Sequence, residues 1–136
     1  MMYVYPAIFS EEEVAERGTV VTVVFPDLPG CITEGESIPD AMRMAREALA
    51  GCICSMQERG EALPVATHPL SDIKCDDGSP VLIDLDMIEY RRKTASKAVK
   101  RTVSLPQWLD AMAQDEGLNF SQTLQDALKE RLGVQQ

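Results

Sequence analysis

The sequence predicts an α+β protein with two parts, an N-terminal unit of order β-β-β-α-β and a C-terminal unit of one strand followed by two helices. Two observations lead to this prediction. Short β-branched runs precede residue 37, whereas apolar residues recur at steps of three and four after it. Up to Tyr90 the chain has 17 acidic and 5 basic residues, and beyond it 5 acidic and 8 basic residues. An acidic body therefore precedes a basic segment.

Three short strands are predicted before the first helix. Residues 3–9 and 19–25 have strand composition, and the glutamate-rich residues 10–18 are expected to form a solvated hairpin between them. Two prolines and a glycine within residues 26–30 predict a turn, after which residues 31–36 resume an extended chain. Together these strands would form an antiparallel meander.

An amphipathic helix is predicted after the meander. Ser37 is placed to cap it, and apolar residues recur at steps of three and four over residues 41–53. The helix is expected to end near Gly60. Residues 61–80 contain three prolines and a glycine and predict a loop, and residues 81–85 predict a fourth strand.

The C-terminal part has a different pattern. Residues 89–99 are basic and weakly apolar, which fits a linker or an exposed helical extension. Residues 100–105 alternate like a strand, Pro106 opens a helix that ends at a glycine, and Asn119 caps a second helix. About forty residues bury too little to fold alone, and a lone strand has no ladder partner. We therefore expect this unit to pair with a second copy.

Pairing of two such strands defines an outer surface. If the strands pair antiparallel, Val103 and Leu105 face inward onto the helices. Lys100, Thr102 and Ser104 then line the outer face of a two-stranded ribbon, which fits a DNA major groove. These three side chains are therefore candidates for contact with bases.

The C-terminal unit resembles the ribbon-helix-helix repressors of the MetJ/Arc type. Lys-Arg-Thr-Val-Ser-Leu-Pro, a helix, Glu-Gly-Leu-Asn-Phe-Ser-Gln and a second helix follow one another over residues 100–133. The resemblance implies that the ribbon reads operator DNA while the start of the second helix, at Asn119 and Ser121, holds a phosphate. Asn119 departs from the pattern, since such proteins often have Ser or Thr there. The alternative is a ribbon that only dimerises the chain.

The N-terminal unit resembles the HicB family of antitoxins. The resemblance rests on Phe-Pro-Asp-Leu-Pro-Gly-Cys-Ile-Thr-Glu-Gly-Glu-Ser at residues 25–37, Ala-Met at 41–42 and Ala-Arg-Glu-Ala-Leu at 45–49, and it spans roughly residues 3–59. It implies a degenerate ribonuclease-H-like fold that binds a small basic ribonuclease toxin, HicA, and blocks its active site. It also implies that the protein represses the operon it shares with the toxin. The acidic composition agrees independently, because such a domain attracts a basic protein and repels RNA.

Three acidic residues are candidates for contact with the toxin. Asp27, Glu34 and Glu36 flank the predicted turn and third strand. The alternative is that residues 27–30 only reverse the direction of the chain.

No catalytic residue, metal or cofactor is expected. A nuclease site would need clustered carboxylates around two Mg²⁺ ions, whereas the acids at residues 11–13 and at Asp84 are expected on solvated surface. His68, the only histidine, lies in a proline-rich loop. Cys52 and Cys54 point to different sides of a helix and so do not form a metal pair, and all four cysteines are expected to be free thiols.

The predicted organisation is a toxin-binding domain (residues 1–88), a basic linker (89–99) and a DNA-binding and dimerisation domain (100–136). The antitoxin would act as a dimer or a dimer of dimers. No segment approaches the roughly 18 apolar residues that span a membrane, and the N-terminus lacks a signal-peptide pattern, so we expect a cytoplasmic protein. The alternative function is a stand-alone transcriptional regulator whose N-terminal domain binds another ligand or protein.

Overall fold

A computed structural model describes residues 1–134, so the last two residues of the predicted C-terminal domain lie outside the described residues. The chain divides into two compact units, one over Met1–Thr94 and one from Ala95 onward. The first unit contains β1 (Met2–Val14), β2 (Gly18–Val24), β3 (Ile32–Gly35), α1 (Ile38–Glu58), β4 (Ser79–Asp86) and α2 (Met87–Thr94). The second contains α3 (Gln107–Asp115) and α4 (Phe120–Leu132). The fold is therefore α+β, as predicted.

The four strands form one antiparallel sheet in the order β3-β2-β1-β4. The predicted meander is confirmed, and β4 pairs with the outer side of β1, from Met2 opposite Asp86 to Phe9 opposite Ser79. Pro6 lies inside β1 although proline donates no ladder bond. It is tolerated because the pairing with β2 begins only at Ile8.

The predicted boundary of the first hairpin is wrong. Residues 10–13 belong to β1, and Glu11 and Glu12 pair with Val21 and Val20 of β2. The connecting turn is residues 15–17, and β2 begins at Gly18, whose φ of +76° suits glycine. Because the β-branched start of β2 supplies ladder partners, the acidic residues stay exposed on a paired strand and need no solvated loop.

The core lies between one face of the sheet and α1. Ser37 caps α1 as predicted, since its hydroxyl oxygen accepts a hydrogen bond from the Asp40 N–H at 3.2 Å. Gly35 is required where β3 meets the helix, because a Cβ there would lie 2.4 Å from the backbone nitrogen of Ala41. The main buried residues are Tyr5, Ala7, Phe9, Val21, Val23, Phe25, Ala41, Ala45, Leu49, Ala50, Ile53, Ile83 and Leu85.

The segment after α1 follows the predicted outline with one refinement. The helix ends at Glu58 and Gly60 follows in a left-handed conformation. The next residues form a loop with a single 3₁₀ turn at Leu70–Asp72, and β4 begins two residues earlier than predicted. Residues 89–99 are predicted to form a linker or a helical extension, and residues 89–94 are helical because they belong to α2. The buried Met87 anchors the start of that helix.

In the second unit the two helices form at the predicted positions. Pro106 immediately precedes α3, and Asn119 caps α4: its side-chain oxygen accepts a hydrogen bond from the Gln122 N–H at 3.0 Å. Gly133 ends α4 in a left-handed conformation. Residues 100–105 do not form a strand in the single chain. A strand is defined by its ladder partner, so the paired ribbon remains a prediction.

Candidate partner-binding surfaces

Asp27 lies in the turn between β2 and β3 and is half-buried. Its carboxylate accepts two hydrogen bonds from Thr67, one from the backbone N–H at 2.8 Å and one from the hydroxyl at 2.5 Å. Nearby, the Tyr5 hydroxyl donates to the Pro64 carbonyl oxygen. Burial, followed by the charge of Asp27, raises the pKa of that hydroxyl and keeps it a proton donor. Asp27 therefore ties the loop after α1 to the sheet, a role that the sequence did not indicate.

Glu34 and Glu36 lie at the edge of the sheet and both are exposed. The Glu34 carboxylate pairs with Arg17 at 2.7 Å, which raises the pKa of that guanidinium. The backbone N–H of Glu36 donates to the Asp40 carboxylate at 3.0 Å, while its side chain faces solvent. Of the three predicted toxin contacts, these two are thus accessible, whereas Asp27 is used within the fold.

The face of the sheet opposite α1 is partly apolar. Ile32, Val24, Ile8 and Pro80 stand opposite one another across all four strands. Ile32 is the most exposed of them, with 61% of its surface accessible. Acidic side chains stand on the same face, because strand side chains two residues apart share a face and Glu34 follows Ile32 by two. This face therefore combines apolar and acidic groups.

The predicted DNA contacts fall in two groups. Thr102 and Ser121 line one groove between the 101–105 segment and the two helices, with a volume of about 650 Å³. Lys100, Ser104 and Asn119 are exposed but are not among its lining residues. Of the three residues predicted to line the ribbon, the groove therefore brings only Thr102 close to Ser121 at the start of α4.

The second unit has no core of its own among its described residues. None of residues 95–134 is buried, and Val103 and Leu105, which are predicted to face inward, are exposed. The exposed large apolar residues of this unit are Val99, Val103, Leu105, Trp108, Leu109, Met112, Leu118, Phe120, Leu124, Leu128 and Leu132. Apolar surface of this extent marks an interaction site. Trp108, exposed over 64% of its surface, was not singled out from the sequence.

The cysteines and carboxylates considered as metal-binding or catalytic groups are not clustered in residues 1–134. All four cysteines are free. Within residues 1–134 no three His, Cys, Asp or Glu side chains are arranged to hold a metal ion. Asp84 is paired with Arg46 at 2.8 Å, which lowers the pKa of the carboxyl. No helix within residues 1–134 is long and apolar enough to cross a membrane.

Comparison with known proteins gives consistent matches. A family model described as a HicB-like antitoxin of a bacterial toxin-antitoxin system matches residues 5–128. A 14.9 kDa protein from the rep-hol intergenic region of Haemophilus phage HP1 is 31% identical over 98 residues, which are 69% of this chain and 68% of that protein.

Two solved structures are similar over nearly the whole chain. One, a toxin-antitoxin complex from Streptococcus pneumoniae, is 27% identical, with a TM-score of 0.60 over 96% of this chain and 99% of that one. The other, the antitoxin HicB of Burkholderia pseudomallei, is 25% identical, with a TM-score of 0.53 over 96% of this chain and 98% of that one.

Proposed function

The chain belongs to the HicB-like antitoxin family of bacterial toxin-antitoxin systems, and from this membership we propose that it binds and occludes a HicA-type ribonuclease toxin and represses its own operon by binding operator DNA. Both activities would take place in the cytoplasm. The N-terminal unit would be a degenerate ribonuclease-H-like fold that binds without catalysis, and the C-terminal unit a ribbon-helix-helix dimer, alone or as a dimer of dimers.

Charge supports toxin binding by the first unit. An acidic surface accelerates association with a basic protein and disfavours RNA, the toxin's substrate. Glu34 and Glu36 are exposed and are the proposed contacts, together with the half-buried Asp27. Occlusion needs no chemistry from the antitoxin, because a protein bound over an active site excludes the substrate by volume alone.

The DNA-binding proposal depends on dimerisation, and the observation that supports dimerisation is the absence of buried residues in 95–134. A unit that exposes its apolar helix faces needs a second copy to fold stably, and pairing of residues 100–105 would supply the missing ladder. Such a ribbon would present Lys100, Thr102 and Ser104 to the major groove, while Asn119 and Ser121 hold a phosphate at the start of α4.

Co-expression tests both activities. We expect the chain to suppress the toxicity of the neighbouring gene product, to co-purify with it and to retard a DNA fragment that carries its own promoter. Neutralisation without DNA binding would refute repression. DNA binding without neutralisation would instead favour a stand-alone transcriptional regulator.

A further inference from the structure

The outer edge of β3 has unpaired backbone groups. The Phe25 N–H donates to the Cys31 carbonyl oxygen at 3.0 Å. Because inward and outward groups alternate along an antiparallel strand, Ile32 and Glu34 direct their N–H and C=O groups away from β2. Within residues 1–134 no hydrogen bond reaches these outward groups. The edge can therefore pair with another strand.

The opposite edge of the sheet is protected. In β4 the same alternation places Pro80, Leu82 and Asp84 outward, and Pro80 has no N–H to offer. The Arg46 side chain donates to the outward carbonyl oxygen of Asp84 at 3.2 Å and to its carboxylate at 2.8 Å. Proline and charged groups are common ways to block an edge strand. The described β3 edge has no proline, and no side chain donates to its outward carbonyl groups.

A groove of about 730 Å³ runs beside this unprotected edge, between it and α1. Its lining includes Leu28, Cys31 and Ile32 from the turn and the strand, and Ala48, Gly51 and Cys52 from the helix. Ser55 and the ion pair of Arg59 with Glu61, at 2.8 Å, also line the groove, and its other lining residues are apolar, with room for side chains of a strand laid along β3.

Gly51 gives an independent indication that the groove serves a partner. A glycine inside a helix costs about 1 kcal/mol relative to alanine. Packing within this chain does not require it, because a Cβ at position 51 would meet no atom within 4 Å. α1 therefore has a residue of low helix propensity at a position where the groove leaves space for a partner.

We propose that the outer edge of β3 binds an extended segment of the toxin as a fifth strand, with alternate toxin side chains entering the groove beside α1. This proposal rests on the function proposed above and specifies where and how the toxin docks. The toxin is the occupant that the charges favour, because the exposed carboxylate of Glu36 flanks the edge and would attract a basic segment, and the Glu34 carboxylate, which is paired with Arg17, could exchange that partner for a cation of the toxin. Backbone hydrogen bonds would supply affinity, and the fit of toxin side chains in the groove would supply selectivity.

Proline substitution tests the edge directly. Ile32→Pro removes one outward N–H and leaves the ladder to β2 intact, whereas Leu82→Pro makes the same change on the protected edge. With the purified product of the neighbouring gene, we expect the affinity of the full chain to fall at least tenfold for Ile32→Pro. We expect it to change less than twofold for Leu82→Pro. Equal effects of the two variants, or none, would overturn the proposal.

Substitutions at Gly51 test the groove without depending on a proline. Gly51→Gln should raise the melting temperature of the free chain, because glutamine is a better helix former, and should lower toxin affinity at least tenfold by filling the groove. Gly51→Ala should raise the melting temperature with less than a threefold change in affinity. Unchanged affinity of Gly51→Gln would contradict the proposal even if Ile32→Pro failed to fold.

Two further outcomes separate the possible explanations. If Ile32→Pro reduces the mass of the free chain in sedimentation while toxin affinity persists, the edge pairs with a second copy and this docking mode is wrong. If the unmodified chain does not bind the neighbouring gene product at all, the function proposed above fails first.

Discussion

The two hydrogen bonds between Asp27 and Thr67 connect parts of the chain that are 40 positions apart. Asp27 is a predicted toxin contact because it flanks the turn before β3, and no local pattern in the sequence indicates its hydrogen bonds to Thr67. Its actual partner is set by the course of the loop after α1. A loss of toxin binding on mutating Asp27 would thus reflect displacement of this loop as well as loss of a contact.

We predict that Asp27→Ala lowers the free energy of unfolding by about 1–3 kcal/mol, because it leaves the half-buried Thr67 N–H and hydroxyl without an acceptor. Urea denaturation of the full chain measures this change. Thr67→Val removes one of the two bonds and should cost less. In the double variant the two losses should not add, since both remove the same hydroxyl bond. Additive losses would show that the residues do not interact.

A second residue-scale prediction concerns pH. Hydrogen bonds from the Glu36 N–H and then from Arg43 hold the pKa of Asp40 below its ordinary value of 3.8. A folded-state pKa that is depressed gives stability that is present above the unfolded pKa and is lost as pH falls through the folded pKa. The stability difference between the native chain and Asp40→Asn should therefore be constant near neutral pH and shrink below about pH 4. A difference that stays constant down to pH 2 would rule out this linkage.

At the scale of elements, local signals predicted most of the fold. Ser37 and Asn119 cap their helices and Pro106 precedes α3 where expected, because each acts on the backbone within about one turn. The length of β1 was not predictable in this way. Whether residues 11–13 extend as strand depends on their register with β2, which is a non-local property. The unpaired β3 edge and its groove likewise emerge only from the order of strands.

The helices of the second unit allow a prediction about assembly. Leu124 of α4 lines the groove between the 101–105 segment and the helices and is 39% exposed in the single chain. If this face is buried by a second copy, Leu124→Glu places an unpaired charge in the interface and should convert the dimer to monomer. Sedimentation at micromolar concentration measures this change, and operator affinity should fall at least 100-fold with it.

The neighbouring residue provides the control for that variant. Gln125→Glu adds the same charge one position away, on an exposed residue that does not line the groove. It should leave the dimer intact. Toxin binding by the monomeric Leu124→Glu chain should persist, because the proposed docking edge lies in the other unit. A dimer that survives Leu124→Glu would show that α4 is not at the interface.

At the scale of the whole molecule, acidic and basic residues are concentrated in different parts of the chain. The chain has a net charge of −9, yet six of its thirteen basic residues lie within residues 91–101 without an intervening acid. An acidic unit adjoining a basic segment suits one protein that must attract a basic toxin and also approach DNA. If the chain binds DNA as proposed, the acidic unit would oppose that binding at long range, and operator affinity would depend on the few cations of residues 91–101.

This dependence makes Lys100 the most informative position for repression. We predict that Lys100→Ala weakens operator binding and reduces by about 1 the slope of log affinity against log salt concentration, because one phosphate or base contact by a cation is lost. Lys129→Ala, a lysine in the last turn of α4, should leave that slope unchanged. Toxin affinity should be the same for both variants. A salt dependence that is unaffected by Lys100→Ala would place the DNA-binding cations elsewhere in the chain and leave the ribbon with a dimerising role alone.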